Sequence, residues 1–156
     1  MRRLFLFIAF AFAVTASCQC KKLPVPDKAF LKSTENSNQV EIDYFTKYIG
    51  SASKLKVIRN SYGDTTKPCE MEQRFKNGIV YHETCSDSGS DVKITFPSYC
   101  KEEIVKFVDW FFLNEFSIWN KSKTTYSPIE DGDAGCYLEI KQDKSKHYFL
   151  EYYCGC

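Results

Sequence analysis

Apolar side chains recur every second residue in some stretches of the chain and every third or fourth in others, and the change of period predicts where strands and helices lie. Leu55 and Val57 alternate with Lys54 and Lys56, which predicts a strand from Lys54 to about Asn60, with "SYGDTTKP" as the turn that follows. Val92, Ile94 and Phe96 alternate as another strand, ended by Pro97. From Tyr99 to Ser117 the period becomes helical: Ile104, Val105, Phe107, Val108, Phe111, Phe112 and Phe116 form one wide stripe, and Glu102 and Glu103 occupy the first turn, where the helix dipole favours acids. A shorter helix is predicted from Gln39 to Ile49, with Asn38 and Glu41 placed as a capping box, Ile42, Phe45 and Ile49 on one face, and Gly50 as its left-handed stop.

Two hairpins carry most of the cysteines, and their registers follow from burial. In "CEMEQRFKNGIVYHETC" the Asn77-Gly78 pair marks the turn. A two-residue loop would mix apolar and charged side chains on both faces. A three-residue loop pairs Phe75 with Ile79 and puts Cys69, Met71, Phe75, Ile79, Tyr81 and Cys85 on one face, opposite to Glu70, Glu72, Arg74, His82 and Thr84. A slip of one residue moves every side chain across the sheet, so burial selects the segregated register, in which Cys69 stands opposite Cys85. By the same reasoning the final hairpin, turning around Lys144 to Lys146, takes an odd loop that sets Ile140 against Leu150, Leu138 against Tyr152 and Cys136 against Cys154.

The order of elements is therefore helix, four strands, long helix, two strands. This predicts an α+β fold: a mostly antiparallel sheet of about six strands, with the long aromatic helix packed on one face and a short N-terminal helix beside it. "NKSKTTYSPIEDGDAG" reads as a long polar connection between the long helix and the last hairpin. Residues 18–38, rich in polar side chains and with two prolines, read as a tether or extended arm, the alternative being a first strand around Ala29 to Leu31. Residues 39–156 then form a single domain, whose thirteen Phe and ten Tyr argue against disorder.

The first twenty residues change the picture of where the protein works. Arg2 and Arg3 precede an unbroken apolar run from Leu4 to Val14 and then small residues, the plan of a secretory signal peptide spanning residues 1–17. Cleavage after Ala16 would leave a soluble exported protein. "TASC" also resembles the bacterial lipobox, although Thr15 stands where that motif usually carries a large aliphatic residue. The resemblance implies a lipid on Cys18 and attachment to a bacterial envelope. Without Arg2 and Arg3 the balance is 19 basic to 20 acidic side chains, so the total charge provides no ground for attraction to nucleic acid or to an anionic membrane. A membrane is expected only through the lipid at Cys18.

Export leads to an oxidising compartment, where cysteines pair. Setting aside Cys18 and Cys20 leaves an even set, and with Cys69–Cys85 and Cys136–Cys154 assigned, Cys100 and Cys156 remain as the third pair. The C-x-C spacing does not match zinc sites, and His82 and His147 add no ligand pair, so neither metal nor cofactor is expected. No nucleophile, zinc or phosphate-loop motif occurs. Glu130, Asp131 and Asp133 are the one acidic run that would suit a hydrolase or calcium, while Asp87 and Asp91 read as a loop between strands. Tyr137, Phe149 and Tyr153 fall on the sheet face away from the long helix, among Glu139, Lys141 and Glu151, a pattern suited to binding a protein partner. The expectation is a non-enzymatic exported domain that binds another protein, as an inhibitor or immunity protein does. An envelope hydrolase using the acidic loop and a purely structural envelope component are the alternatives.

Overall fold

A computed structural model of the chain describes residues 20–34, 37, 39–61, 64–86, 89–130 and 134–155. The expected signal segment, Cys18, Asn38, Asp87, Asp131, Asp133 and Cys156 lie outside the described residues. Helices α1 (Lys28–Thr34) and α2 (Val40–Tyr48) precede strands β1 (Lys56–Ser61), β2 (Asp64–Arg74), β3 (Val80–Ser86) and β4 (Gly89–Phe96). Helix α3 (Lys101–Phe111) follows, then β5 (Ser117–Trp119), β6 (Thr125–Pro128), β7 (Gly135–Gln142) and β8 (Tyr148–Gly155). The fold is α+β, and all neighbouring strands are antiparallel in one sheet of order β1-β2-β3-β4-β8-β7-β6-β5. Two meanders thus meet at β4 and β8, with α3 carrying the chain from the middle of the sheet to its far edge. Among the described residues no helix is long and apolar enough to cross a membrane.

Both hairpins adopt the register that burial selects. Arg74 pairs with Val80 and Gln73 with Tyr81, and the Phe75 N–H donates to the Ile79 carbonyl at 2.9 Å, closing a three-residue loop. Asn77 (φ 60°) and Gly78 (φ 78°) take the left-handed conformation there, and a Cβ on Gly78 would sit 2.9 Å from Pro97. In the last hairpin Cys136 pairs with Cys154, Leu138 with Tyr152 and Ile140 with Leu150. The opposed cysteines form disulfides with Cα separations of 5.0 Å (Cys69–Cys85) and 4.1 Å (Cys136–Cys154).

The core lies between the helices and one face of the sheet. Phe45 of α2 stacks on Phe107 of α3 with ring centres 5.2 Å apart and planes 9° from parallel, while Phe75 and Phe96 approach Phe45 from the sheet side. Ile79, Ile94, Ile104, Leu138 and Leu150 fill the space around them and are fully buried. Helix α2 stops as its composition predicts: the Ile49 and Gly50 amides both reach the Phe45 carbonyl, and Gly50 has φ 92°.

The structure departs from the expected elements in four main places, and in two smaller ones: β2 takes in residues 64–68 of the expected turn, and Asp91, read as loop, lies in β4. The sheet has eight strands rather than six, because the polar connection after α3 folds into β5 and β6. These strands are short, and Tyr126, 1% exposed, and Trp119 supply the inward side chains, too few for period two to register in the sequence. Helix α3 ends at Phe111, before the Ser117 that the apolar stripe suggests. The buried Tyr126 hydroxyl donates to the Phe112 carbonyl and accepts the Asn114 N–H, both at 3.0 Å, capping the helix from another strand. Phe116, left beyond that cap, is 71% exposed.

The third departure is the arm. Residues 21–34 are neither a free tether nor a strand around Ala29: Phe30 sits on helix α1, and it and Leu23 are buried against the core. Asp27 holds this arm down: its carboxylate accepts hydrogen bonds from the Phe30 amide, Tyr48 and Lys47, which lower its pKa to about 2. The Leu23 amide donates to Glu103 on α3 at 2.9 Å. The fourth departure concerns the expected Cys100–Cys156 bridge. Cys100 pairs instead with Cys20, with Cα atoms 5.6 Å apart, because the arm runs beside the start of α3 through a bridge between Lys21 and Tyr99. A tryptic digest without reduction is expected to contain linked peptides for Cys20–Cys100, Cys69–Cys85 and Cys136–Cys154. Replacing Cys20 and Cys100 together with serine is expected to lower unfolding free energy by about 2 to 4 kcal/mol, read as a shift in urea midpoint.

Candidate functional site

Because the helices lie on one face of the sheet, strand parity decides what the other face presents. Across the four central strands the outward side chains are His82 and Thr84 (β3), Asp91 and Lys93 (β4), Glu151 and Tyr153 (β8), and Tyr137 and Glu139 (β7). Standing upright from a twisted sheet, they wall a trough of about 430 Å³. Tyr153 has Tyr137 as its direct cross-strand partner on β7 and Asp91 as its direct partner on β4. Of the three aromatic candidates, the structure brings these two together in the trough. Phe149 is four residues along the same face of β8 and pairs with Lys141 and Thr95.

A charge ladder joins the trough to Phe149. The Lys93 ammonium lies 2.8 Å from one Glu151 oxygen and 3.9 Å above the Phe149 ring centre. Lys141 reaches the other Glu151 oxygen at 3.1 Å and also meets Glu139. Burial would raise the Glu151 pKa, but the Lys93 and Lys141 ammonium groups outweigh it and hold the carboxyl below its ordinary value. The same two carboxylates, Glu139 and Glu151, raise the pKa of Lys141. Thr84 donates to the Asp91 backbone carbonyl at 3.3 Å. The trough therefore joins two tyrosines, hydrogen-bonding groups and fixed charges of both signs.

On the opposite, covered face the structure gathers an acidic cluster that local pattern alone does not reveal. Glu41, expected in a capping box with Asn38 at the N-cap, belongs to a helix whose N-cap is Gln39, without a side-chain hydrogen bond there. The carboxyl turns instead into the core, where it is 4% exposed and accepts a short hydrogen bond from the Tyr152 hydroxyl. Glu83 lies beside it and accepts a hydrogen bond from Tyr81 at 2.7 Å. Burial, with help from the Glu83 and Asp43 charges, raises the Glu41 pKa, and burial beside these acids raises Tyr152 and Tyr81 as well. One signal was present: Glu41 stands four residues before Phe45, on the apolar face of its helix.

Glu130 is exposed next to Asp131 and Asp133, which lie outside the described residues. Among the described residues no three His, Cys, Asp or Glu side chains converge as a metal site. No family model, curated protein or solved structure matches the chain.

The raised Glu41 pKa sets a pH dependence. Above the ordinary carboxyl value of 4.5 the unfolded chain has released this proton while the native state keeps it, so the contribution of Glu41 to stability falls as pH rises through its native value. Urea midpoints measured from pH 4.5 upward are expected to decline more steeply for the natural protein than for Glu41→Gln, in which this position cannot ionise.

Proposed function

We propose that the chain is an exported, non-enzymatic domain that binds another protein through the open face of its sheet. The observation that carries this reading is the pairing of Tyr137 and Tyr153 across the trough, rimmed by Asp91, Lys93, Glu139 and Glu151. Two aromatic rings beside a ladder of charged groups share the composition of protein interfaces, where aromatics supply much of the energy and charged groups set orientation. The partner that fits is a protein presenting an apolar or aromatic side chain and charges of both signs to this face. Three disulfides suit such a domain to an oxidising compartment. The signal-peptide plan supports export, and the lipobox-like "TASC" supports an envelope anchor at Cys18.

The test is capture of a partner from the envelope of the source cell by the mature domain, followed by titration. Tyr137→Ala with Tyr153→Ala is expected to weaken affinity by at least about thirtyfold, with the thermal midpoint little changed. Ile118→Ser, a change at the sheet edge, serves as a control and is expected to bind normally. Capture that persists in the double variant, or turnover of a substrate without any retained partner, would overturn the reading.

A further inference from the structure

The strand order gathers lysines at one end of the molecule. Lys76 is on the loop between β2 and β3, Lys121 and Lys123 are between β5 and β6, and Lys144 and Lys146 are between β7 and β8. These loops share an end: Phe96, at the close of β4, pairs with Tyr148 at the start of β8, the Ile140 amide reaches the Thr124 carbonyl, and Lys101 donates to the Ser122 carbonyl at 2.9 Å. The described chain enters at the same end, where Lys21 bonds Ser98 through its backbone and Asn77 through its ammonium group at 2.8 Å, with Lys22 following. Lys21, Lys22, Lys76, Lys121, Lys123, Lys144 and Lys146 are exposed, and none of them forms an ion pair among the described residues.

The acids at this end are fewer and mostly engaged. Glu103 is buried and paired with Lys106, and one Asp143 oxygen accepts the Ser145 and His147 amides. Among the described residues at this end, Glu102 alone is exposed without such a partner. At the other end Glu115 and Glu130 are exposed. The near-neutral total thus conceals a separation of charge along the strand axis.

We propose that this lysine-rich end rests on the anionic phospholipid surface of the membrane from which the protein is exported. Charge complementarity is one argument, and the path of the chain is the other. Cys20 is stapled to Cys100 at this end, only two residues after Cys18, so a lipid on Cys18 would hold the bilayer against these lysines and not at the end of a tether. The orientation rests on the exported, anchored reading, and it leaves the trough on the side of the sheet free to meet a partner.

The experiment uses the exported chain carrying Cys18→Ser, so that no lipid contributes, and measures flotation with vesicles of phosphatidylcholine alone or mixed with phosphatidylglycerol. The expected result is binding to the mixed vesicles only, suppressed by added salt and reduced about fivefold by each of Lys21→Gln, Lys76→Gln and Lys123→Gln, with unchanged thermal midpoints. Equal partition onto both vesicle types, or anionic binding that these changes leave intact, would overturn the proposal. So would equally tight binding to heparin or duplex DNA, which would mark a general polyanion site. Because partner capture reads Tyr137 and Tyr153, failure here leaves the trough reading standing, and failure there leaves this one.

Discussion

Phe45, Phe96 and Phe107 meet where two helices lie across one face of the sheet, and the rest of the molecule depends on that contact. A sheet buried on one face only has its registers decided by parity, since a slip of one residue would carry Ile94, Leu138 and Leu150 into water and bring Lys93, Glu139 and Glu151 into the core. The cysteines obey the same parity. Cys69 and Cys85 continue the inward positions of their strands, as do Cys136 and Cys154, so both hairpin disulfides follow from the packing of the core. The outer face is the remainder: what the core does not take becomes the trough.

The N-terminal arm extends the covered face. Leu23 and Phe30 add apolar area beside α2 and α3, and polar contacts from Asp27 and Glu103 align the backbone between them. The Cys20–Cys100 bridge removes much of the conformational freedom the arm would have in the unfolded chain. Glu41 is the exception in this apolar layer. Its carboxyl is held by Tyr152 next to Glu83, and burial favours the protonated form, in which it can share hydrogen bonds without an uncompensated charge.

Two surfaces then remain on the outside, and they differ in kind. The trough joins fixed charges to paired tyrosines within regular strands, where neighbouring side chains hold each other upright. The lysine-rich end is built from loops and the entry of the arm, with long, exposed cations. Rigid aromatics favour selective contact with another folded surface, and long cations favour a diffuse anionic one. Their placement on different sides of the molecule lets both be occupied together.

The local sequence determined the elements whose signals are short-range. Asn77-Gly78 with its flanking alternation set the first hairpin, the Ile140 to Leu150 pattern set the last, and two of the three predicted disulfides came with those registers. The outward placement of Tyr137, Phe149 and Tyr153 followed from the same parity. Tertiary structure decided whatever depends on a distant partner. The end of α3 is capped by Tyr126 from β6, the partner of Cys100 is 80 positions away in the chain, and the Glu41 carboxyl meets Tyr152, 111 positions away. The segregation of lysines is also of this kind: composition counts charges, and only the order of strands brings Lys21, Lys76, Lys123 and Lys146 to one end.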